Sequence, residues 1–199
     1  MDAVTLTTRN LDIHPVRMSD LDAIVTAWSD PAIRRWTVVP EPGNLAQARE
    51  FVESTCAGGW SADRHYIFGA YAKDSGSLVG CFGVFGIDTV GRSEDFAYLG
   101  CWVAKEHRGK GYATEALREI ARWAFTDLKL DRLEGVGEVG NEASLALVLK
   151  TGFQMEGTLR GRTLQDGIRR DAWLVSLLPH DLGLTPTIPY AASNDVAKS

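Results

Sequence analysis

The residues best placed to do chemistry lie in one stretch, Gly100-Cys101-Trp102-Val103-Ala104-Lys105-Glu106-His107-Arg108-Gly109-Lys110-Gly111-Tyr112-Ala113-Thr114. Two glycines alternate here with two cations, directly ahead of a run with helical periodicity. Glycines without a Cβ let main-chain N–H groups approach a ligand closely, and the open start of a helix adds unpaired donors and partial positive charge. Arg108 and Lys110 add full charges. Together these make a cradle for a phosphate or pyrophosphate. It must act locally, because 21 Lys and Arg against 26 Asp and Glu leave the chain at −5. That balance excludes a chain-wide basic field for nucleic acid or anionic lipid.

Several ligand classes use such a cradle. A Walker A loop needs GxxxxGK followed by Ser or Thr, but Gly111 follows Lys110 and Ala104 stands where the first glycine should be. A dinucleotide fingerprint needs GxGxxG, and Thr114 takes the third glycine's place. Asp131 has about the spacing of a ribose-binding acid, yet the strands ahead of the motif read as hairpins rather than βαβ. A glycine-rich turn without a ligand would not need two cations, a strand before it and a long helix after it.

The elements that must position the cradle follow from periodicity. Leu6 to His14 predicts a strand, and Ser19 is expected to start a helix with Leu21, Ile24, Val25 and Trp28 on one stripe. Pro31 follows it. Asn44 with Gln47 forms a capping box for a second helix through about Cys56, closed by Gly58-Gly59. His65–Lys73 and Leu78–Asp88 form a hairpin across Asp74-Ser75-Gly76-Ser77, and a strand Asp95–Ala104 follows the turn residues Gly91-Arg92-Ser93. Ala113, Ala116, Leu117, Ile120, Ala121, Ala124, Phe125 and Leu128 then give the strongest apolar stripe in the chain. Arg132–Val139 reads as a strand and Ala143–Thr151 as a helix ended by Gly152. Phe153–Gln165 and Ile168–Leu178 are strands joined by Asp166-Gly167, a dipeptide suited to a type I′ turn. The order β-α-α-β-β-β-α-β-α-β-β describes a mixed α/β (α+β) single domain over residues 1–180. Residues 181–199, without either periodicity, read as a mobile or surface-laid tail.

With 199 residues and 45% apolar content, one core is expected. No apolar run reaches the roughly 18–20 residues of a membrane span, and the first residues lack the features of a signal peptide. Cys56, Cys81 and Cys101 show no CxxC spacing and read as reduced thiols. His14, His65, His107 and His180 show no metal-ligand spacing. The expectation is a cytoplasmic, soluble protein without metal, membrane or nucleic-acid partners.

Arg108-Gly109-Lys110-Gly111-Tyr112-Ala113 resembles the [Q/R]xxGx[G/A] acetyl-CoA motif of the GNAT N-acetyltransferases. Asn141-Glu142-Ala143-Ser144 with Lys150-Thr151-Gly152-Phe153 resembles their second signature, NxxS…KxGF. Asp30-Pro31-Ala32-Ile33-Arg34-Arg35-Trp36 is similar to the end of the first helix in the Rim-type subgroup, which acetylates ribosomal-protein N-termini. The resemblance covers about residues 5–180. It implies acetyl-CoA as co-substrate, a bulged strand before the cradle, and a cleft in which pantetheine lies like an extra strand.

By the same resemblance, Trp102, Val103 and Ala104 would supply main-chain contacts, with the Val103 N–H as oxyanion donor. The amides of Arg108, Gly109, Lys110, Gly111, Tyr112 and Ala113 would hold the pyrophosphate. Asn141 would bond the pantetheine arm, although it equally suits a helix N-cap, and Trp102 equally suits the core. Ser144 maps onto the serine that serves the Rim-type subgroup as general acid for the thiolate, against a role in binding or capping. The general base is not assigned. Tyr98 stands where many relatives carry glutamate, Thr163 stands at the Rim-type alternative, Glu94 and Asp95 are nearby, and a water chain needs no side chain. Trp36, Tyr98 and Asp171 are the acceptor-side candidates, with Trp60, His65 and Tyr66 named by position.

The expected reaction is direct transfer of acetyl to a primary amine, either a protein or peptide α-amino group or a small-molecule amine. Net charge leans slightly toward a cationic acceptor. A non-catalytic acyl-CoA sensor and an enzyme using a longer acyl-CoA stay open, as does a homodimer.

Overall fold

The computed structural model describes residues 1–87 and 96–191. Strands β1 (Leu6–Thr7) and β2 (Leu11–Pro15) lead to helices α1 (Leu21–Trp28), α2 (Pro31–Trp36) and α3 (Leu45–Glu50). A π-helical turn, Phe51–Cys56, carries α3 into α4 (Ala57–Ser61). Strands β3 (His65–Ala72), β4 (Leu78–Phe85) and β5 (Phe96–Val103) follow, then α5 (Tyr112–Thr126), β6 (Arg132–Glu138), α6 (Glu142–Thr151), β7 (Gln154–Gln165) and β8 (Ile168–Leu177). The eight strands form one sheet in the order β1-β2-β3-β4-β5-β6-β8-β7, antiparallel except where β5 meets β6. This is the mixed, mostly antiparallel sheet expected.

Each face of the sheet has its own core. Alternate side chains along each strand point to opposite faces. On one face α5 buries Leu117, Ile120, Trp123 and Phe125 against Phe68, Phe82, Val84, Leu99, Leu133 and Val175. Each such side chain contributes about 1.5–3 kcal/mol by leaving water. On the other face α1 to α4 bury Ile24, Trp28, Ile33 and Val52 against Ile67, Tyr71, Cys81 and Trp102.

Three local readings need correction. The first strand is two, because Thr8–Asn10 turns outward and is held by Glu115 of α5, which accepts from Thr8 Oγ1 at 2.5 Å and from Asn10 N and Nδ2 at 2.8 Å. Ser19 does not cap α1. It lies in a 3₁₀ turn, Met18–Asp20, and the Asp20 carboxylate accepts from Arg17 N and Tyr71 Oη. Pro31 follows α1 as expected, and it opens α2 at its first position, with Asp30 as N-cap accepting from Ala32 N at 2.9 Å. Gly58-Gly59 does not stop the second helix. Trp60 is buried one residue on, and a Cβ on Gly59 would sit 2.3 Å from His65 Nε2, so this glycine is there for close packing.

Other signals hold. Asn44 Oδ1 accepts from Gln47 N while Gln47 Oε1 accepts from Asn44 N, each at 3.0 Å. Asp166 and Gly167 both take positive φ, as a type I′ turn requires. Gly152 ends α6 at φ +121°. The Gly91-Arg92-Ser93 turn, Glu94, Asp95 and the Asp88 strand end lie outside the described residues, as do residues 192–199. Ahead of the latter, Thr187 N and Ile188 N donate to Asp131, and Tyr190 stacks on His180.

Candidate functional site

The two central strands part company. β5 pairs with β6 only from Phe96 to Tyr98, opposite Arg132 to Glu134. Beyond that point β5 stays with β4 through Val103, and β6 stays with β8 through Glu138. A V-shaped cleft therefore opens between Leu99–Val103 and Gly135–Glu138. The register of β5 against β4 is unbroken from Tyr98 to Val103, so the bulge implied by the resemblance is absent on that side. The splay arises from loss of the β6 partner alone.

Register also decides which main-chain groups face the cleft. Ala104 N donates to Val79 O on β4 at 2.9 Å. Backbone polar groups alternate along a strand, so Ala104 and Trp102 turn toward β4, while Val103 and Cys101 turn toward the gap. Of the expected Trp102 to Ala104, only Val103 turns its main chain toward the gap. The Trp102 indole is core, packed with Trp28 and Cys81 under α1 to α4. Cys101, which the sequence reading passed over, joins Val103 in the cleft. Arg108 Nε occupies the Val103 carbonyl at 3.1 Å, leaving its N–H.

The cradle sits at the carboxyl end of β5. Gly109 and Gly111 take φ of +74° and +85°, and a Cβ on either would meet nothing within 4 Å. Their conformation turns successive N–H groups outward into open space, ahead of the 15-residue helix α5 whose first-turn donors lack intrahelical partners. Lys110 is exposed, with no carboxylate partner among the described residues. Arg108 is committed elsewhere. Its Nη2 pairs with Asp30 Oδ2 at 2.5 Å, so its charge is already matched and the cradle's free cation is Lys110.

Asp30 and Arg35 make α2 a strap across the mouth of the cleft. At one end Asp30 caps the helix and holds Arg108; the Ala32 amide, then the Arg108 guanidinium, keep its carboxyl below the ordinary range. At the other end Arg35 Nη2 pairs with Glu138 Oε1 of β6 at 2.5 Å, and Gln165 Nε2 of the β7–β8 hairpin donates to Arg35 O at 2.8 Å. Glu138 is also 3.6 Å from Arg170 Nε, and its carboxyl is likewise held low by Arg35. Sequence reasoning missed both pairs, because nothing local links residues about a hundred positions apart.

On the β6 arm, Asn141 Oδ1 accepts from Ser144 N at 3.3 Å, so it caps α6. Its Nδ2 and the Ser144 hydroxyl have no protein partner among the described residues, and Ser144 is half-buried in the first turn. Trp36 lies beside Gly140, 3.8 Å from where its Cβ would be, under the Arg35 guanidinium at 3.9 Å. Trp36, Asn141 and Ser144 thus gather at one corner. Tyr98 is paired in register with Glu134 on the sheet face away from α5, 36% exposed beside Phe85. Asp171 is exposed and accepts from Gly161 N at 2.8 Å across the hairpin. Trp60 and Tyr66 are core residues around Trp123, and His65 Nε2 contacts Thr55 O at 2.9 Å. Thr163 Oγ1 donates to Arg170 O within the hairpin.

The three cysteines are free, and burial pushes the Cys56 and Cys101 thiols up to about 12. Among the described residues no cluster of His, Cys, Asp or Glu is arranged to hold a metal, and no helix is long and apolar enough to cross a membrane. A separate concavity under Pro186–Tyr190, lined by Arg132, Glu156 and His180, touches none of the cradle residues.

Comparison with known proteins agrees with the fold. A family model described as an acetyltransferase (GNAT) domain matches residues 10–154. The uncharacterized N-acetyltransferase p20 of Bacillus licheniformis is 29% identical over 180 residues, covering 89% of this chain and 97% of that protein. Among solved structures, RimJ of Mycobacterium smegmatis, in complex with a CoA disulfide, aligns with a TM-score of 0.77 at 24% identity over 98% of this chain and 93% of its own. The microcin C7 self-immunity acetyltransferase MccE, solved with acetyl-CoA and AMP, aligns at 0.75 and 19% identity over 86% of this chain and 93% of its own.

Proposed function

This chain belongs to the GNAT acetyltransferase family, and on that footing we propose that it moves the acetyl group of acetyl-CoA to a primary amine held beneath α2. The observation that carries the reading is the cleft between β5 and β6, open to an unpaired main-chain edge and ending at the Gly109–Gly111 cradle. Pantetheine is a chain with two amide groups and fits an unpaired strand edge. The pyrophosphate fits the amides from Gly109 to Ala113 with Lys110. Trp102 and Ala104 contribute by fixing the strand, and Arg108 by bracing the turn.

Both substrates occupy one cleft, so the neutral amine attacks the thioester carbonyl directly. The Val103 N–H stabilises the oxyanion that forms, a contribution of about 2.7–4 kcal/mol where one such donor is removed. Ser144, whose hydroxyl has no partner among the described residues, gives its proton to the departing thiolate and recovers one from the attacking nitrogen by way of water. The products are an amide and CoA with a free thiol. Asn141 holds the first turn of α6 so that Ser144 stays in place. No side chain is assigned as base. Tyr98 and Thr163 replace the carboxylates that would serve, and Asp171 lies at the hairpin bulge.

Thiol release measured across a panel of α-amino peptides and small amines tests the proposal. Release with at least one acceptor, dependent on acetyl-CoA, supports it. Tight CoA binding without release on any acceptor would mean a sensor, and faster release from propionyl- or succinyl-CoA would mean a different donor.

A further inference from the structure

The β7–β8 hairpin closes the acceptor side of the cleft, since Gln165 bonds α2 and Arg170 reaches Glu138 of β6. Its charges are unbalanced. In β7 the register against β8 slips between Leu159 and Thr163, so Arg160-Gly161-Arg162 bulges out opposite Asp171. Gly161 takes φ +59°, its N–H is held by Asp171, and Arg169 lies along it with Nη1 donating to Gly161 O at 2.9 Å. Arg160, Arg162 and Arg169 are thus drawn to one bulge. All three are exposed, and none is ion-paired among the described residues. Leu164 and Ile168, 64% and 53% exposed, flank the turn beyond them.

The carboxylates nearby are fewer than the arginines, and the one nearest the cleft is already paired. Glu138 is only 10% exposed and already serves both Arg35 and Arg170, while Asp171 is tied to the bulge. Among the described residues near the bulge, a positive acceptor would meet three exposed arginines against two exposed carboxylates, Asp166 and Asp171. In a chain of net charge −5, this concentration of unpaired guanidinium is a local reversal of sign.

Building on the acetyltransferase reading, we infer that the acceptor is an acidic peptide, its amino terminus entering under α2 while carboxylates a few residues on meet Arg160, Arg162 and Arg169. Leu164 and Ile168 offer apolar contact along the same path. The patch is a few residues wide and the surrounding field negative, which suits a short acidic segment better than a long phosphate backbone. This reverses the lean toward a cationic acceptor that net charge alone suggests.

Thiol-release kinetics with three peptides of identical first residue, followed by Asp/Glu, Ser/Gly or Lys/Arg, test the inference, with spermidine as a further acceptor. The expected result is a KM for the acidic peptide at least tenfold below that of the basic one, with the difference shrinking as salt is raised. Arg160→Ser with Arg162→Ser should raise the acidic peptide's KM about tenfold and leave the neutral peptide's KM and the Kd for CoA unchanged. Equal or better use of the basic peptide or spermidine overturns the charge inference and leaves the acetyltransferase reading standing. Absence of thiol release with every acceptor overturns both. Inhibition by a 20-mer RNA at lower concentration than by an acidic peptide of equal charge overturns the choice of a peptide.

Discussion

Replacing Gly111 by Glu perturbs the cradle without touching the core, because a Cβ there meets nothing within 4 Å. Two costs separate cleanly. The left-handed φ of +85° strains any residue with a Cβ, by about 1–2 kcal/mol, and this falls on folding. A carboxylate about 6 Å from a doubly charged pyrophosphate, at an effective dielectric of about 40, costs about 2–3 kcal/mol, and this falls on binding. The second term corresponds to roughly 30- to 150-fold in Kd. Gly111→Ala carries the strain without the charge, so it should lower the melting temperature equally and weaken CoA less than tenfold. Calorimetric titration with CoA beside thermal unfolding reads both terms. If Gly111→Glu folds and binds CoA as tightly as the parent, the anion is not held where we place it and the electrostatic reasoning fails.

Ser144→Ala should lower kcat about a hundredfold or more while the KM for acetyl-CoA stays within twofold; a change in that KM alone would remove the acid role. Asp30→Asn with Glu138→Gln frees both ends of α2 and should raise the acceptor KM severalfold, measured beside an unchanged Kd for CoA. In the parent these two carboxyls have lowered pKa values, so their stabilisation is present above the ordinary carboxylate range and is lost as pH falls through and below it. Melting temperature followed downward from pH 7 should therefore drop less steeply in the double variant than in the parent. Gly137→Ala places a Cβ 2.1 Å from the buried Trp173 ring and should destabilise the fold by about 1–3 kcal/mol in urea unfolding; the parent's midpoint would show that the strand can yield.

What could be read from sequence and what could not follow from the range of the forces involved. The cradle was legible because its requirements are local: glycines at left-handed positions, a cation between them, and the apolar stripe of α5. The Asp166-Gly167 turn and the Asn44–Gln47 capping box were legible for the same reason. Gly58-Gly59 misled because a glycine pair reads as a helix stop, whereas Gly59 is needed for the His65 side chain to pass against the helix. Arg108 reads as a phosphate ligand until Asp30, 78 residues earlier, is brought beside it. That Cys101 rather than Trp102 turns its amide toward the gap was not legible, because strand register, which no single strand encodes, decides it. The basic charge of the β7–β8 bulge was hidden in a net value dominated by acids elsewhere.

A crystal structure with CoA tests the central claim most directly. The account predicts pantetheine between β5 and β6, bonded to the main chain of Cys101 or Val103, with the pyrophosphate within hydrogen-bond distance of amides between Gly109 and Ala113. CoA bound in the concavity under Pro186–Tyr190, or with its pyrophosphate away from the start of α5, would contradict it.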